Sequence, residues 1–462
     1  MNSEAQYIDL YQQARNIIFS HSPEALNSLR DKAFEDFRRL GFPSRKVEEY
    51  RYTDMEALFE PDYGINLNRI DIPVNPYDVF RCDVPNLSTS LYFVVNDAFY
   101  DKALPKASLP EGVTVCSLSR IAEEQPEILK KYYGQLADTG ADAVTALNTM
   151  LSQDGLFVHV GRNIKVERTI QVINILKTPQ WLPGKEHGDD EEWNKALMAN
   201  RRVLIVMEEG AEAHFLFCDH AADDRHFLTT QVTEAFVGER ATLELNCLEE
   251  THSKNARVSN VYIRQEADSN VSHNVITLHN GITRNPLILT LEGKGAQCSC
   301  NGCVIADKAQ HVDNNTLIDH RATHCTSSEL YKYVLDENAT GAFAGKVLVR
   351  PEAQKTVSEE RNQNLLITRE ARMYTQPVLE IYADDVKCSH GSTVGQLNDE
   401  ALFYMRQRGI GLKEARLLLE FAFVNEVIDK IHLEPLRNRL HYLVEKRFRG
   451  ELNKCKGCML CK

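Results

Sequence analysis

From about residue 155 to 388 the chain carries one short β-rich run after another, with no helical period between them. Ile170–Ile175, Val203–Val206, His214–Phe217, Thr242–Leu245, Val258–Ile263, Val271–Leu278 and Leu287–Leu291 are each bounded by Gly, Asn, Asp or a charge. A small residue recurs where many of these runs begin. Ala213, Ala241, Ala267 and Ala296 lie 28, 26 and 29 residues apart, and Ala309, Ala322, Ala339, Ala353 and Ala371 follow at about half that interval. The class is mainly β. A coarse period without helical crossovers predicts a flattened parallel β-helix, in which each coil supplies two strands and a small residue sits at the tight corner. A two-sheet antiparallel sandwich also has strands at short intervals. The unbroken length of the region favours the solenoid.

Helical patterns flank it. Residues 1–150 form a mainly helical N-terminal region. Ser22-Pro23-Glu24 reads as a helix start with a capping serine, and Leu26, Leu29, Phe34 and Phe37 follow at helical spacing until Gly41 and Pro43. A strand-like Leu91–Val95 comes next, then a helical pattern from about Ser117 to Met150. Residues 151–390 are the β core. Residues 391–450 read as three helices: one capped by Asn398 or Asp399, one with Leu412, Ala415, Leu419, Ala422, Phe423 and Val427 on a broad apolar face, and one begun by Pro435. Packed on the end of a solenoid, they would seal its core. Residues 451–462 are a cysteine-containing tail.

The net charge of −13 argues against a broad electrostatic footprint for nucleic acid or an anionic membrane surface. No apolar run approaches the roughly 18 residues a spanning helix needs. The N-terminus has no positive cluster ahead of an apolar core. The cytoplasm is the expected compartment, where clustered cysteines read first as metal ligands or redox groups.

Three cysteine groupings stand out. In Asp384–Gly391, Cys388 and His390 are two apart, so a strand projects both from one face. Thiolate with imidazole suits iron, zinc or copper, but two ligands do not close a structural site, so the metal would be shared with another chain or left partly open. A packed Cys and a turn-capping His is the competing reading. Cys298, Cys300 and Cys303 read either as a cluster site or, preferably, as small core thiols, with Asn301-Gly302 as a turn signal. Cys455, Cys458 and Cys461 have spacing for one metal but lack a fourth ligand. Gly341–Val347 lacks the length and the Ser/Thr of a phosphate loop and reads as a solenoid turn, so no ATP site is expected here. There is neither GxSxG nor HExxH. His273, His311, His320 and His324 read as hydrogen-bonded wall residues.

Pro377–Leu397, centred on Asp384-Asp385-Val386-Lys387-Cys388-Ser389-His390-Gly391, resembles the hallmark segment of the SufB/SufD family of iron–sulfur cluster assembly scaffolds. Glu400–Ile410 fits the same family's helical segment, and Gln310–Thr356 resembles its SufD branch. Gly41–Asp54 is similar to the family's early Pro-x-Arg-Lys segment, with Tyr50 where tryptophan is more usual. The resemblance implies a right-handed parallel β-helix flanked by helical domains. It implies a non-catalytic scaffold subunit that pairs with a SufB-type subunit and docks a SufC-type ABC ATPase on its C-terminal helices, through Leu402, Phe403, Tyr404, Arg406, Arg408 and Gly409. It also assigns Cys388 and His390 to transient iron or a nascent Fe–S cluster at the partner interface, and leaves the tail cysteines outside its pattern. A SufB-like scaffold working as a homodimer is the near alternative. A β-helix enzyme acting on polysaccharides is the distant one, disfavoured by the missing export signal and the Cys/His pair.

Overall fold

The computed structural model describes residues 3–69, 76, 89–102, 109–178, 196–222 and 225–450. Its strands form two ten-stranded sheets, numbered here along the chain. The first sheet takes β1 (Gly64–Ile65), β4 (Val113–Ser117), β5 (Leu156–Val160), β7 (Leu197–Met207), β9 (Phe227–Val237), β11 (Ala256–Gln265), β13 (Ile282–Leu291), β15 (His311–His320), β17 (Thr340–Val349) and β19 (Arg372–Ile381). The second takes β2 (Ser90–Val95), β3 (Ala98–Phe99), β6 (Ile170–Leu176), β8 (Glu212–Ala221), β10 (Thr242–Glu250), β12 (Asn270–His279), β14 (Gln297–Ala306), β16 (Thr326–Leu335), β18 (Val357–Leu366) and β20 (Lys387–Gly395). From β5 onward each strand pairs in parallel with the strand two further along the chain. Parallel neighbours need a long crossover, and here the crossover is the intervening strand of the opposite sheet. The result is a β-helix of about seven turns, which decides the solenoid against the antiparallel sandwich. The sheets recruit β2 and β4 from ahead of residue 151.

The corners explain the period. A residue with positive φ stands two positions before each even strand from β8 to β18: Gly210, Arg240, Asp268, Gly295, His324 and Lys355. Its N–H donates to a carbonyl in the corner of the next coil, for example Arg240 to Ala267 at 2.8 Å and Asp268 to Lys294 at 2.9 Å. Those bonds offset the roughly 1–2 kcal/mol that the left-handed region costs a non-glycine residue. The next residue is small and turned inward: Ala211, Ala241, Ser269, Ala296, Cys325 and Thr356 are all buried. Ala241 and Ala296 stand at corners as the spacing predicts, whereas Ala213 and Ala267 each lie two residues from the inward corner position.

The lumen between the sheets is apolar at the early coils, with Val158, Val172, Phe215, Leu243 and Leu245. It turns polar later, where His273, Asn314, Glu329, Glu360 and Asn362 are buried. Asn301-Gly302 is not a turn. It lies inside β14, where a Cβ on Gly302 would stand 2.2 Å from the Tyr331 ring. Gly341–Val347 is likewise strand β17 rather than a turn.

The outer faces are covered by helices. α1 (Ser3–Ser20), α2 (Glu24–Asn27), α3 (Arg30–Leu40) and α4 (Met55–Phe59) precede α5 (Leu118–Glu124), α6 (Pro126–Tyr132) and α7 (Ala143–Leu151). Tyr7, Phe37, Phe59, Leu147 and Met150 of this group pack on Met198, Leu228 and Val258 of the first sheet. Ser22 is not the cap of α2. Pro23 takes that position, and the Ser22 hydroxyl accepts from buried Arg30 at 3.1 Å. The helical pattern after Ser117 is broken at Gln125-Pro126 and between α6 and α7.

At the other end of the chain come α8 (Asp399–Gln407), α9 (Leu412–Ile428) and α10 (Glu434–Phe448). Asn398 caps α8 by accepting from the Ala401 N–H. The last two helices do not seal the lumen. Val424, Val427, Ile428, Leu440 and Val444 pack on Cys218, Ile276, Cys303, Ile305 and Leu330, the outward residues of the second sheet. Arg447 fixes α10 there, donating to the Leu278 carbonyl at 2.6 Å and to Asp307 at 2.6 Å. Among the described residues no strand or coil covers the end of the solenoid beyond β19 and β20.

Candidate functional site

Strands β19 and β20 close the two sheet orders, so each is paired along one edge only, to β17 and β18. Ile381, Tyr382 and Val394 are exposed there. An unpaired strand edge carries free backbone donors and acceptors and is a template for another chain.

Both residues of the Cys/His pair sit on β20. Cys388 is the register partner of Ser358 and His390 of Glu360. Ser358 and Glu360 are buried lumen residues, so the pair faces the lumen side of the last coil. Among the described residues no further coil covers it. Cys388 is half-buried and, like Leu379 and Val386, packs against the lumen core. Burial pushes its thiol up, opposed by a backbone hydrogen bond from Ser358. His390 is exposed. The thiol is thus seated in the wall, while the imidazole stands exposed. The expectation that the two share one strand face matches the register.

Beneath them the lumen holds two continuous columns. One runs Cys298, Ser327, Ser358, Cys388, and the other Cys300, Glu329, Glu360, His390. Ser327 and Ser358 are joined through their hydroxyls at 2.8 Å, and His320 reaches Ser327 at 2.8 Å. Cys298 and Cys300 are buried in the lumen, and Cys303 is buried on the other face under α9 and α10. Their packing fits the core-thiol reading. Glu329 and Glu360 were not singled out from the sequence. The signal was there: Ser327 and Ser358 are 31 residues apart, as are Glu329 and Glu360, and one coil further stand Cys388 and His390.

The other candidates separate. Cys455, Cys458 and Cys461 lie outside the described residues. Phe403 and Tyr404 are 63% and 56% exposed, and Arg408 stacks on Tyr404 and donates to its hydroxyl at 3.0 Å. Arg406 is exposed, Gly409 ends α8 with φ 86°, and Leu402 is buried and points inward. His311 bonds Thr53 at 2.9 Å, while His324 is a corner residue. Tyr50, at the aromatic swap, donates to Asp142 and lies under the Arg284 guanidinium, 4.2 Å from its ring centre. Among the described residues no group of three or more His, Cys, Asp or Glu converges as a metal site, and no helix is long and apolar enough to cross a membrane.

Comparison with known proteins gives two family-model matches. Residues 1–172 match the SufBD protein N-terminal region, and residues 190–423 match the SufBD core domain of SUF system FeS cluster assembly. An iron–sulfur cluster assembly SufBD family protein of Synechocystis is 28% identical over 423 residues, covering 88% of each chain. The iron–sulfur cluster assembly protein SufD of Escherichia coli is 27% identical over 440 residues, covering 93% of each chain. The chloroplastic protein ABCI7 of Arabidopsis thaliana is 27% identical, covering 90% of this chain and 84% of its own.

Proposed function

Because the chain belongs to the SufBD family of iron–sulfur cluster assembly proteins, we propose that it is a SufD-type scaffold subunit whose open coil end completes a cluster-building site with a SufB-type partner. The observation that carries this reading is the placement of Cys388 and His390 on β20, the one-sided last strand, facing a lumen end that no described residue covers with a further coil. Two ligands bind iron or a nascent cluster too incompletely to keep it. The remaining ligands would come from the partner seated on β19 and β20. Cargo held across two chains is released when the chains shift.

The subunit itself is non-catalytic in this reading, and ATP is hydrolysed by a SufC-type partner. That partner would dock on Phe403, Tyr404, Arg406 and Arg408 of α8, an exposed aromatic and cationic face of the kind enriched at interface anchors. The compartment is the cytoplasm.

The test is co-expression with SufB-type and SufC-type subunits, followed by anaerobic purification and assay of cluster transfer to an apo-acceptor. His390→Ala is expected to leave the complex assembled and to cut cluster formation at least tenfold. Assembly with normal cluster formation would remove the role given to His390.

A further inference from the structure

Every other buried acid among the described residues faces a basic side chain. Asp97 and Asp154 face Arg69, Asp219 faces Arg201, Glu234 faces Arg202, Glu244 faces His214, Glu249 faces Arg257, Asp313 faces Arg284 and Asp319 faces Arg350. Glu329 and Glu360 break this rule. They are 2% and 0% exposed, stand on adjacent coils as register partners, and no group lies within hydrogen-bonding reach of their four carboxyl oxygens, the Thr316 hydroxyl beside Glu329 being the nearest polar influence. No cationic side chain acts on either. Taking even one ionised carboxylate out of water without compensation is strongly unfavourable, and here two lie side by side.

The surroundings are shaped for them. A Cβ on Gly345 would stand 2.2 Å from one Glu360 carboxyl oxygen, so glycine leaves the space that carboxyl fills. Thr316, the register partner of Gly345 one coil earlier, turns a buried hydroxyl toward the Glu329 carboxyl. The oxygens of two carboxyls and one hydroxyl thus gather on neighbouring rungs, one rung beneath uncovered His390.

We infer that Glu329 and Glu360, with the Thr316 hydroxyl and water, hold a hard divalent cation such as Mn2+ or Mg2+ inside the last coils of the solenoid. Oxygen donors with water select such ions, and two carboxylates neutralise their charge. The open coil end supplies the way in, past His390. This interior site is separate from the pair at the rim, and it stands whether or not that pair carries a cluster.

The test uses the full-length chain stripped with EDTA and titrated with Mn2+ alone, reading the loss of the free-ion EPR signal. The parent protein is expected to take up one Mn2+ per chain and to melt at a higher temperature when loaded. Glu329→Gln/Glu360→Gln, which keeps size and removes charge, is expected to lower the affinity at least tenfold and to abolish the Mn2+-dependent rise in melting temperature. Cys388→Ala/His390→Ala is expected to retain both. Gly345→Ala, which crowds the Glu360 carboxyl without touching its charge, is a second variant expected to weaken uptake. No uptake by the parent, or equal uptake by the glutamine variant, overturns the site. Loss in the Cys388/His390 variant alone also overturns it and places the ion at the rim instead.

Discussion

Glu360 lies one rung directly beneath His390, the two being register partners on β18 and β20. One is fully buried and the other exposed, so the boundary between lumen and solvent falls between adjacent strands. Burial, and for Glu360 also the neighbouring Glu329, pushes both carboxyls well above the ordinary glutamate value of 4.5. A carboxyl raised by folding gives stability that is complete below the unfolded value and lost as pH rises through the folded one. The EDTA-stripped protein is therefore expected to lose melting temperature as pH rises from 4.5 through neutrality. Glu329→Gln/Glu360→Gln should flatten that slope in thermal melts across the pH range.

Gly302 faces the Tyr331 ring in the lumen. Gly302→Ala puts a methyl 2.2 Å from ring carbon, which a close-packed core accommodates only by moving the ring. The expected loss is about 1–3 kcal/mol, read as a lower urea midpoint at unchanged slope. A midpoint equal to that of the parent would show that the lumen has slack at this coil.

Glu234 joins the N-terminal helices to the first sheet. It bonds Arg202 at 2.7 Å and accepts the N–H groups of Gly134, Leu136 and Ala137. Arg202→Met would leave a buried carboxylate without its cation, and a broken buried pair costs about 3–5 kcal/mol. Denaturant melts should show that loss. Limited proteolysis should open the segment between α6 and α7 before the β core.

Arg447 has 8% exposure and bonds the Leu278 carbonyl, Asp307 and Gln310. Arg447→Met keeps the aliphatic stem and leaves Asp307 unpaired. The expected outcome is faster amide exchange along α10, with exchange in β12 and β14 unchanged except near Leu278. Uniform acceleration throughout the chain would mean that α10 and the solenoid unfold as one unit.

The repeat was legible because β runs recurred without helices between them. Its phase was not, since the left-handed corner position is filled in turn by Gly, Arg, Asp, Gly, His and Lys. What unites these residues is a backbone angle and an N–H bond to the next coil, and neither leaves one chemical type in the sequence. The inward small residue is Ala in some coils and Ser, Cys or Thr in others, which is why alanine alone misplaced two corners. Cys388 and His390 could be put on one strand face from their spacing. That they end the solenoid, with Glu360 below, follows only from strand register. The broad apolar face of α9 announced burial, but not that the second sheet's outer wall, rather than the coil end, would bury it.

Lys332 of β16 reaches out to Glu426 of α9 at 2.5 Å, while Glu329 on the same strand points inward. Only one strand's thickness separates the flanking helices from the polar interior. A push or pull on α9 therefore needs no long lever to be felt at the carboxylates, because the wall it leans on is the wall that carries them.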